Sequence, residues 1–150
     1  MNQISKGRKA APPRVMLYGT HGIGKSTFGA MAEKPIFVPT EDGLADIDCE
    51  SFPLARSLGE VMAALESLYS GDHDYRTVVI DSLDWPSADL GRGVRRRERR
   101  EHREDRLCQG FSFAIDKWRA VLRAARCARS DRGMTVVLIA HAKIEKFENP

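Results

Sequence analysis

The sequence predicts an α/β fold in which a mostly parallel sheet is flanked by helices. Short apolar runs of strand length alternate with segments of helical periodicity, which is typical of parallel strands joined by crossover helices. These runs are residues 14–18, 36–38, 77–81 and 134–140. A glycine-rich turn also separates the first run from a helix-compatible segment. The length of 150 residues suits a single domain.

The first strand and helix are predicted at the start of this domain. Residues 14–18 are largely apolar and lead into Gly19, which favours a buried strand followed by a sharp turn. After the turn at 19–24, residues 25–32 favour a helix. Pro35 ends that helix because proline has no backbone N–H to donate.

The middle of the chain contains a second strand and a second helix. Residues 36–38 predict the strand, and the acidic residues 40–48 predict a loop. Ser57 and Glu60 have the spacing of a capping box, so a helix is expected over residues 58–69. Apolar residues of that segment recur with a period of 3.6, namely Val61, Leu65 and Leu68.

The remaining elements lie in the second half of the chain. Residues 77–81 predict a third strand that ends in a carboxylate. Residues 113–128 have the pattern of an amphipathic helix, and Gly133 marks its end. Residues 134–140 form the most apolar run and predict another strand.

Composition narrows the class of protein. The hydrophobic fraction of 42% is sufficient for a packed core, and a net charge of +3 permits nucleic-acid binding without arguing for it. The cysteines are far apart and predict neither a zinc site nor a disulfide framework: Cys49, Cys108 and Cys127. No signal peptide or membrane span is evident, which favours a cytoplasmic protein. Residues 1–13 are expected to be a flexible basic arm, and residues 14–150 the domain.

A phosphate-binding loop is the strongest motif. The letters GTHGIGKS match G-x-x-x-x-G-K-[ST] in full, between a strand and a helix. Such a loop curls so that backbone N–H groups surround an anion. We expect Lys25 to reach the β- and γ-phosphates, Ser26 to bind Mg²⁺ and Thr27 to lie near the α-phosphate. The predicted nucleotide contacts are Gly19, Thr20, His21, Gly22, Ile23, Gly24, Lys25, Ser26 and Thr27.

Polar residues at three strand ends could complete such a site. Asp81 ends an apolar strand and is predicted to hold Mg²⁺ with Ser26. Glu41 follows the second strand and is predicted as the catalytic base, with Asp42 or a plain acidic loop as alternatives. His141 ends the last strand and is predicted to sense the γ-phosphate, the alternative being a structural histidine. For His21 the backbone is expected to matter more than the ring.

The combination of motifs is more specific than the loop alone. The segments GTHGIGKSTFGA, IFVPTEDGL, TVVIDSLDW and TVVLIAHAKI resemble the phage RecA-like ATPases of the Sak-type single-strand annealing group. Proteins of this group are often described as AAA-family or phage nucleotide-binding proteins. The resemblance covers residues 14–85 and 110–150.

The resemblance implies a RecA-like core that binds ATP with Mg²⁺ in the cytoplasm of a bacterial host. It also implies assembly on single-stranded DNA, as a homo-oligomer or with phage recombination partners. By this similarity Lys25, Ser26 and Thr27 bind nucleotide. Asp81 is the Walker B acid, Glu41 is the catalytic glutamate and His141 is the sensor. Relatives continue with further strands and basic residues, so the domain is expected to be truncated after Pro150.

Residues 86–109 depart from the family pattern. Eight arginines and five acids lie there, and apolar residues are sparse. A one-base shift of reading frame, with GC-rich codons assumed, rewrites the segment as an amphipathic pattern that rejoins the frame near Gly110. Three hypotheses follow, namely paired frameshifts, a solvated salt-bridged helix, or a basic helix that contacts nucleic acid.

Three functions are compatible with these residues. The first is a DNA-dependent ATPase that assists phage single-strand annealing or recombination. The second is a nucleotide-binding module without useful turnover, and the third is a decayed remnant that does not fold stably. The guanine-reading N-K-x-D motif does not occur in the sequence, which favours ATP over GTP.

Overall fold

A computed structural model describes residues 11–84 and 103–142, with side chains in the last helix described from Ile115 onward. Five strands and three helices lie within these residues. In chain order they are β1 (Arg14–Gly19), α1 (Lys25–Ala30), β2 (Pro35–Pro39), β3 (Glu50–Ser51), α2 (Leu58–Ser70), β4 (Thr77–Asp81), α3 (Arg103–Arg132) and β5 (Thr135–His141).

The strands form one sheet in the order β1-β5-β4-β2-β3, and every pairing is parallel. This confirms the predicted α/β class. The register places Gly19 opposite His141 and Pro39 opposite Asp81. Because parallel strands all point the same way, the residues that follow β1, β2, β4 and β5 emerge at one edge of the sheet.

One face of the sheet packs against α2 and α3. Val78 and Ile80 of β4 are fully buried on this face. Their cluster includes Val61 and Leu65 of α2 and Val121 of α3, each at most 3% exposed. Burying an aliphatic side chain of this size contributes about 1.5–3 kcal/mol. Packing on this face therefore stabilises the position of β4, the central strand, whose last residue is Asp81 at the sheet edge.

The opposite face packs against α1. Phe37, Val79 and Ile139 are fully buried there. Gly29 allows α1 to lie close to the sheet, because a Cβ at this position would come within 3.0 Å of Val79 Cγ1 and 3.2 Å of Phe37 Cζ. Strands buried on both faces are expected to be continuous apolar runs, which explains why β4 lacks an alternating pattern.

The helix predictions hold with shifted ends. Helix α2 begins at Leu58, and Ser57 Oγ accepts from the Glu60 N–H at 3.3 Å, as predicted. The Glu60 carboxylate, however, accepts from the N–H of Arg56 at 2.6 Å and not from that of Ser57. Helix α3 extends beyond residues 113–128 at both ends, from Arg103 to Arg132.

The short strand β3 was not predicted. It consists of Glu50 and Ser51, which are both exposed and so carry no apolar pattern. Its place is set by pairing with β2 and by the Phe52 N–H, which donates to the Phe37 carbonyl at 2.8 Å.

Some predictions fall outside the described residues. They concern most of the basic arm, the arginine-rich segment up to residue 102 and the chain beyond residue 142. The backbone of residues 103–109 is helical. Within the described part of the chain, no helix is long and apolar enough to cross a membrane.

Candidate functional site

The loop between β1 and α1 has the backbone shape that its glycines permit. Gly22 and Gly24 have φ values of 80° and 87°, in the left-handed region that side chains disfavour. Gly24 directly precedes α1, so the free N–H groups of the first helical turn face the loop. Ile23 lies over Gly19, where an added Cβ would come within 2.2 Å of Ile23 Cδ1. The positive φ values and the start of a helix directly after Gly24 are the backbone features that a phosphate-binding loop requires.

Lys25 is the buried cation of this loop. It is only 9% exposed, which is unusual for a lysine and indicates that its ammonium is paired. Its Nζ donates to the carbonyl oxygens of Gly19 at 3.1 Å and Thr20 at 2.8 Å. The charge is therefore held at the mouth of the loop, where an anionic group would meet it.

Ser26 and Asp81 meet at the end of β4. The Ser26 hydroxyl donates a short hydrogen bond to Asp81 Oδ2, and Asp81 is 3% exposed. Burial raises the pKa of Asp81 above its ordinary value of 3.8, and the nearby Glu41 adds to the rise. The Ser26 hydrogen bond and the charge of Lys25 act in the opposite direction.

This oxygen pair fits Mg²⁺ rather than a protein-only metal centre. Mg²⁺ prefers hard oxygen ligands and is commonly held by one or two side chains together with substrate phosphates and water. Ser26 and Asp81 supply two such oxygens beside the loop. Among the side chains that the structure describes, no group of three or more from His, Cys, Asp or Glu could hold a metal.

His141 lies between Lys25 and Glu41. Its Nε2 is 2.7 Å from Glu41 Oε1, and its Nδ1 is 3.4 Å from Lys25 Nζ. An ammonium can only donate, so Nδ1 acts as the acceptor. The neutral tautomer with its proton on Nε2 then satisfies both contacts. The Glu41 side chain remains 43% exposed, so solvent reaches the carboxylate.

Two further residues surround His141. The Asp84 carboxylate accepts from the His141 backbone N–H at 2.8 Å. The His21 ring stacks on the His141 ring with centroids 6.0 Å apart. The ring of His21 thus has a contact that the sequence did not predict. No local pattern signals either contact, because both join residues from distant parts of the chain.

The structure brings the predicted residues to one edge of the sheet in two connected groups. One group is the Ser26–Asp81 pair, and the other is the contact chain from Lys25 through His141 to Glu41. Among the predicted nucleotide contacts outside these groups, Gly19 is half-buried and the others, including Ile23 and Thr27, are exposed. Asp42 is exposed and forms no hydrogen bond or ion pair with a described residue.

Comparison with known proteins agrees with this arrangement. A family model described as an AAA domain matches residues 11–150, which include the loop and all five strands. A search of curated proteins finds no match.

The raised pKa of Asp81 predicts a pH-dependent stability difference. In the nucleotide-free protein we expect Asp81→Asn to increase the free energy of unfolding at pH 7, because asparagine removes a buried charge and can still accept from Ser26. The folded state binds the Asp81 proton more tightly than the unfolded state, so the stability contributed by Asp81 falls as pH rises through the raised pKa. The difference in free energy of unfolding between the variant and the wild type should therefore shrink as the pH falls towards 3.8, the ordinary pKa of the group, and vanish below it.

Urea unfolding of the wild type and the variant across the acid-to-neutral range measures this difference. Asp46→Asn, at an exposed loop position, is the control for the change in net charge. An Asp81→Asn protein that is less stable than the wild type at pH 7 contradicts the expectation.

Proposed function

The chain belongs to the AAA domain family of P-loop ATPases. We propose that it binds ATP with Mg²⁺ and hydrolyses ATP to ADP and phosphate. The observation that carries this proposal is the meeting of a buried lysine, a serine–aspartate pair and an exposed glutamate at one edge of the sheet. These groups correspond to the three tasks of phosphoryl transfer, which are phosphate binding, metal binding and the positioning of water.

Phosphate binding is assigned to the loop and Lys25. The backbone donors of the loop would bind phosphate oxygens, and the Lys25 ammonium would exchange its carbonyl partners for phosphate oxygens. Ser26 and Asp81 would hold Mg²⁺, which neutralises charge on the β- and γ-phosphates when bound. Because Asp81 is only 3% exposed, neighbouring atoms restrict the positions that its carboxylate can adopt.

Water activation is assigned to Glu41. Its carboxylate accepts a proton as a water oxygen bonds to the γ-phosphorus and the bond from that phosphorus to the bridging oxygen of ADP breaks. The Nε2–H of His141 orients this carboxylate at 2.7 Å. Since His141 also contacts Lys25, it is the side chain through which phosphate contacts and Glu41 would influence each other.

We further propose single-stranded DNA as a partner, acting in phage annealing or recombination through a homo-oligomer or phage proteins. The described side chains of α3, residues 115–132, include six basic and two acidic groups. This local excess of four exceeds the net charge of +3 of the whole chain. Exposed arginines at helical spacing are suited to binding successive phosphates.

One stripe of this helix remains available for such contacts. Arg119, Arg123 and Arg126 are exposed and lie on one side of α3. Arg129 and Arg132 instead donate to backbone carbonyls of other segments. Arg123 and Arg126 form no hydrogen bond or ion pair with any other residue that the structure describes.

Nucleotide binding is tested by thermal unfolding with Mg²⁺ and a non-hydrolysable ATP analogue. A ligand at 100 times its Kd adds about 2.7 kcal/mol to the folded state, which corresponds to a midpoint rise of roughly 5–10 °C for a chain of this size. We expect this rise for the wild type and its loss for Lys25→Ala. Lys34→Ala, which removes an exposed lysine paired with Asp74, is the matched control.

A Lys25→Ala protein that keeps the full shift would contradict the assignment. A wild type without a cooperative transition would favour a decayed remnant over an ATPase.

Hydrolysis is tested by replacing each of the two adjacent acids with its amide in a separate variant. Glu41→Gln should lower kcat by a factor on the order of 10²–10⁴, because the amide cannot accept the proton. The thermal shift with the analogue should persist. Asp42→Asn makes the same charge change one residue away and should retain activity close to the wild type.

The steady-state rate of phosphate release measures both variants. Loss of activity in Asp42→Asn with retention in Glu41→Gln would reverse the assignment. A wild type that binds ATP without turnover, with or without DNA, would instead favour a nucleotide-binding module.

DNA binding is tested through its dependence on salt. Each phosphate contact to a single strand adds about 0.7 to the slope of log K against log salt. The double variant Arg123→Gln with Arg126→Gln should reduce that slope by about 1.4 and weaken stimulation of ATP turnover by DNA. Arg56→Gln with Arg76→Gln removes two exposed arginines outside α3 and is the matched control. Fluorescence anisotropy of a labelled oligonucleotide gives the slopes, and equal slopes for all three proteins would exclude this stripe.

A further inference from the structure

Thr40 connects the ends of two neighbouring strands. It follows β2 directly and precedes Glu41. Its backbone N–H donates to the Asp81 carbonyl at 2.6 Å. Its hydroxyl donates to the Ser82 carbonyl at 2.5 Å and accepts from the Ser82 N–H at 2.8 Å. Three hydrogen bonds therefore join one residue to the two residues at the end of β4.

The hydroxyl satisfies backbone groups that water cannot reach. Ser82 is 1% exposed, so its N–H and C=O need partners within the protein. The Thr40 hydroxyl serves as donor to one and acceptor for the other, which uses both capacities of the group. A side chain of the same shape without a hydroxyl would leave both backbone groups without these bonds.

The position of this link relates it to the two proposed functional carboxylates. Asp81 lies directly before Ser82, and Glu41 lies directly after Thr40. The β2–β4 register ends at Pro39 and Asp81, so the strand pairing does not extend to Glu41. Glu41 is half-exposed, and its described side-chain contact is with His141. The backbone that carries Glu41 is thus tied to β4 through Thr40.

We propose that Thr40 is a positioning residue for hydrolysis, whose hydroxyl holds Glu41 at a set distance from Asp81. This inference rests on the proposed hydrolytic role of Glu41. Thr40 touches neither the loop nor Lys25 through any contact that the structure describes, so it acts on the rate of the chemical step and not on nucleotide affinity. Misplacement of a reacting group by about 1 Å can cost on the order of 10²-fold in rate.

The test compares two substitutions that separate the hydroxyl of Thr40 from the shape of its side chain. Thr40→Val keeps the shape and removes the hydroxyl, whereas Thr40→Ser keeps the hydroxyl and removes a methyl group. We expect Thr40→Val to lower kcat by about 10- to 100-fold, with KM for ATP and the thermal shift by the analogue unchanged. Thr40→Ser should restore kcat to near the wild-type value. Thr40→Val is also expected to lower the unfolding midpoint, because the buried Ser82 backbone groups lose their partners. A purely structural role would change KM and the thermal shift by the analogue together with kcat.

The outcomes separate this inference from the proposed function. An active wild type with an equally active Thr40→Val protein overturns the positioning role and leaves hydrolysis intact. Equal losses in Thr40→Val and Thr40→Ser also overturn it, because the hydroxyl would then not be the relevant group. A wild type without turnover overturns the proposed hydrolysis and the inference with it. Should Thr40→Val fail to unfold cooperatively, Thr40→Ala removes the same hydroxyl without placing a methyl group against the Ser82 backbone and is judged by the same criteria.

Discussion

The parallel pairing of β4 with β2 and β5 is the constraint on which the site depends. β4 is buried on both faces, so its register with its neighbours is set by apolar packing above and below the sheet. Because β4 pairs with a strand on each side, a shift by one residue would break both registers at once and move Asp81 away from its place opposite Pro39. The same register determines where Asp81, Glu41 and His141 emerge, and the packing of the core thereby sets the geometry of the polar edge.

Two buried charges lie at that edge. Lys25 and Asp81 are 9% and 3% exposed, and isolated charges at such depth are costly. Hydrogen bonds offset the cost: the Lys25 ammonium donates to the carbonyls of Gly19 and Thr20, and the Ser26 hydroxyl donates to the Asp81 carboxylate. The remaining desolvation is expressed in the raised pKa of Asp81. A site arranged in this way favours ligands that bring compensating charge to both groups.

The polar side chains form two levels around the loop. Lys25 and Asp81 lie deepest, and the half-buried Ser26 is bonded to Asp81. Glu41 and His141 form an outer pair, in which the Glu41 side chain is 43% exposed. Hydrogen bonds that involve backbone groups hold this outer pair in place. The His141 N–H donates to the Asp84 carboxylate, and Thr40, which precedes Glu41, bonds to the Ser82 backbone after β4. The outer groups therefore owe their positions to segments that immediately follow strands, where a few hydrogen bonds continue the order of the sheet.

The sequence by itself determined the features that are local. The loop motif, the apolar strands and the Ser57 cap are each contained within a few residues, and the structure has the strands and the cap where the patterns predict them. The carboxyl-end positions of Glu41, Asp81 and His141 were predictable as well, since Asp81 and His141 end apolar runs and Glu41 comes two residues after β2. Their roles in ATP hydrolysis stay predictions.

Only the tertiary structure decided which distant residues meet. The stacking of His21 on His141, the bond from His141 to Asp84 and the link from Thr40 to Ser82 join segments separated by 42 to more than 100 residues. β3 has no apolar signal, and its pairing comes from the position of β2. The physical reason is common to these cases: such contacts depend on strand order and register, which arise from packing of the whole core and leave no periodic trace in the segments that make them.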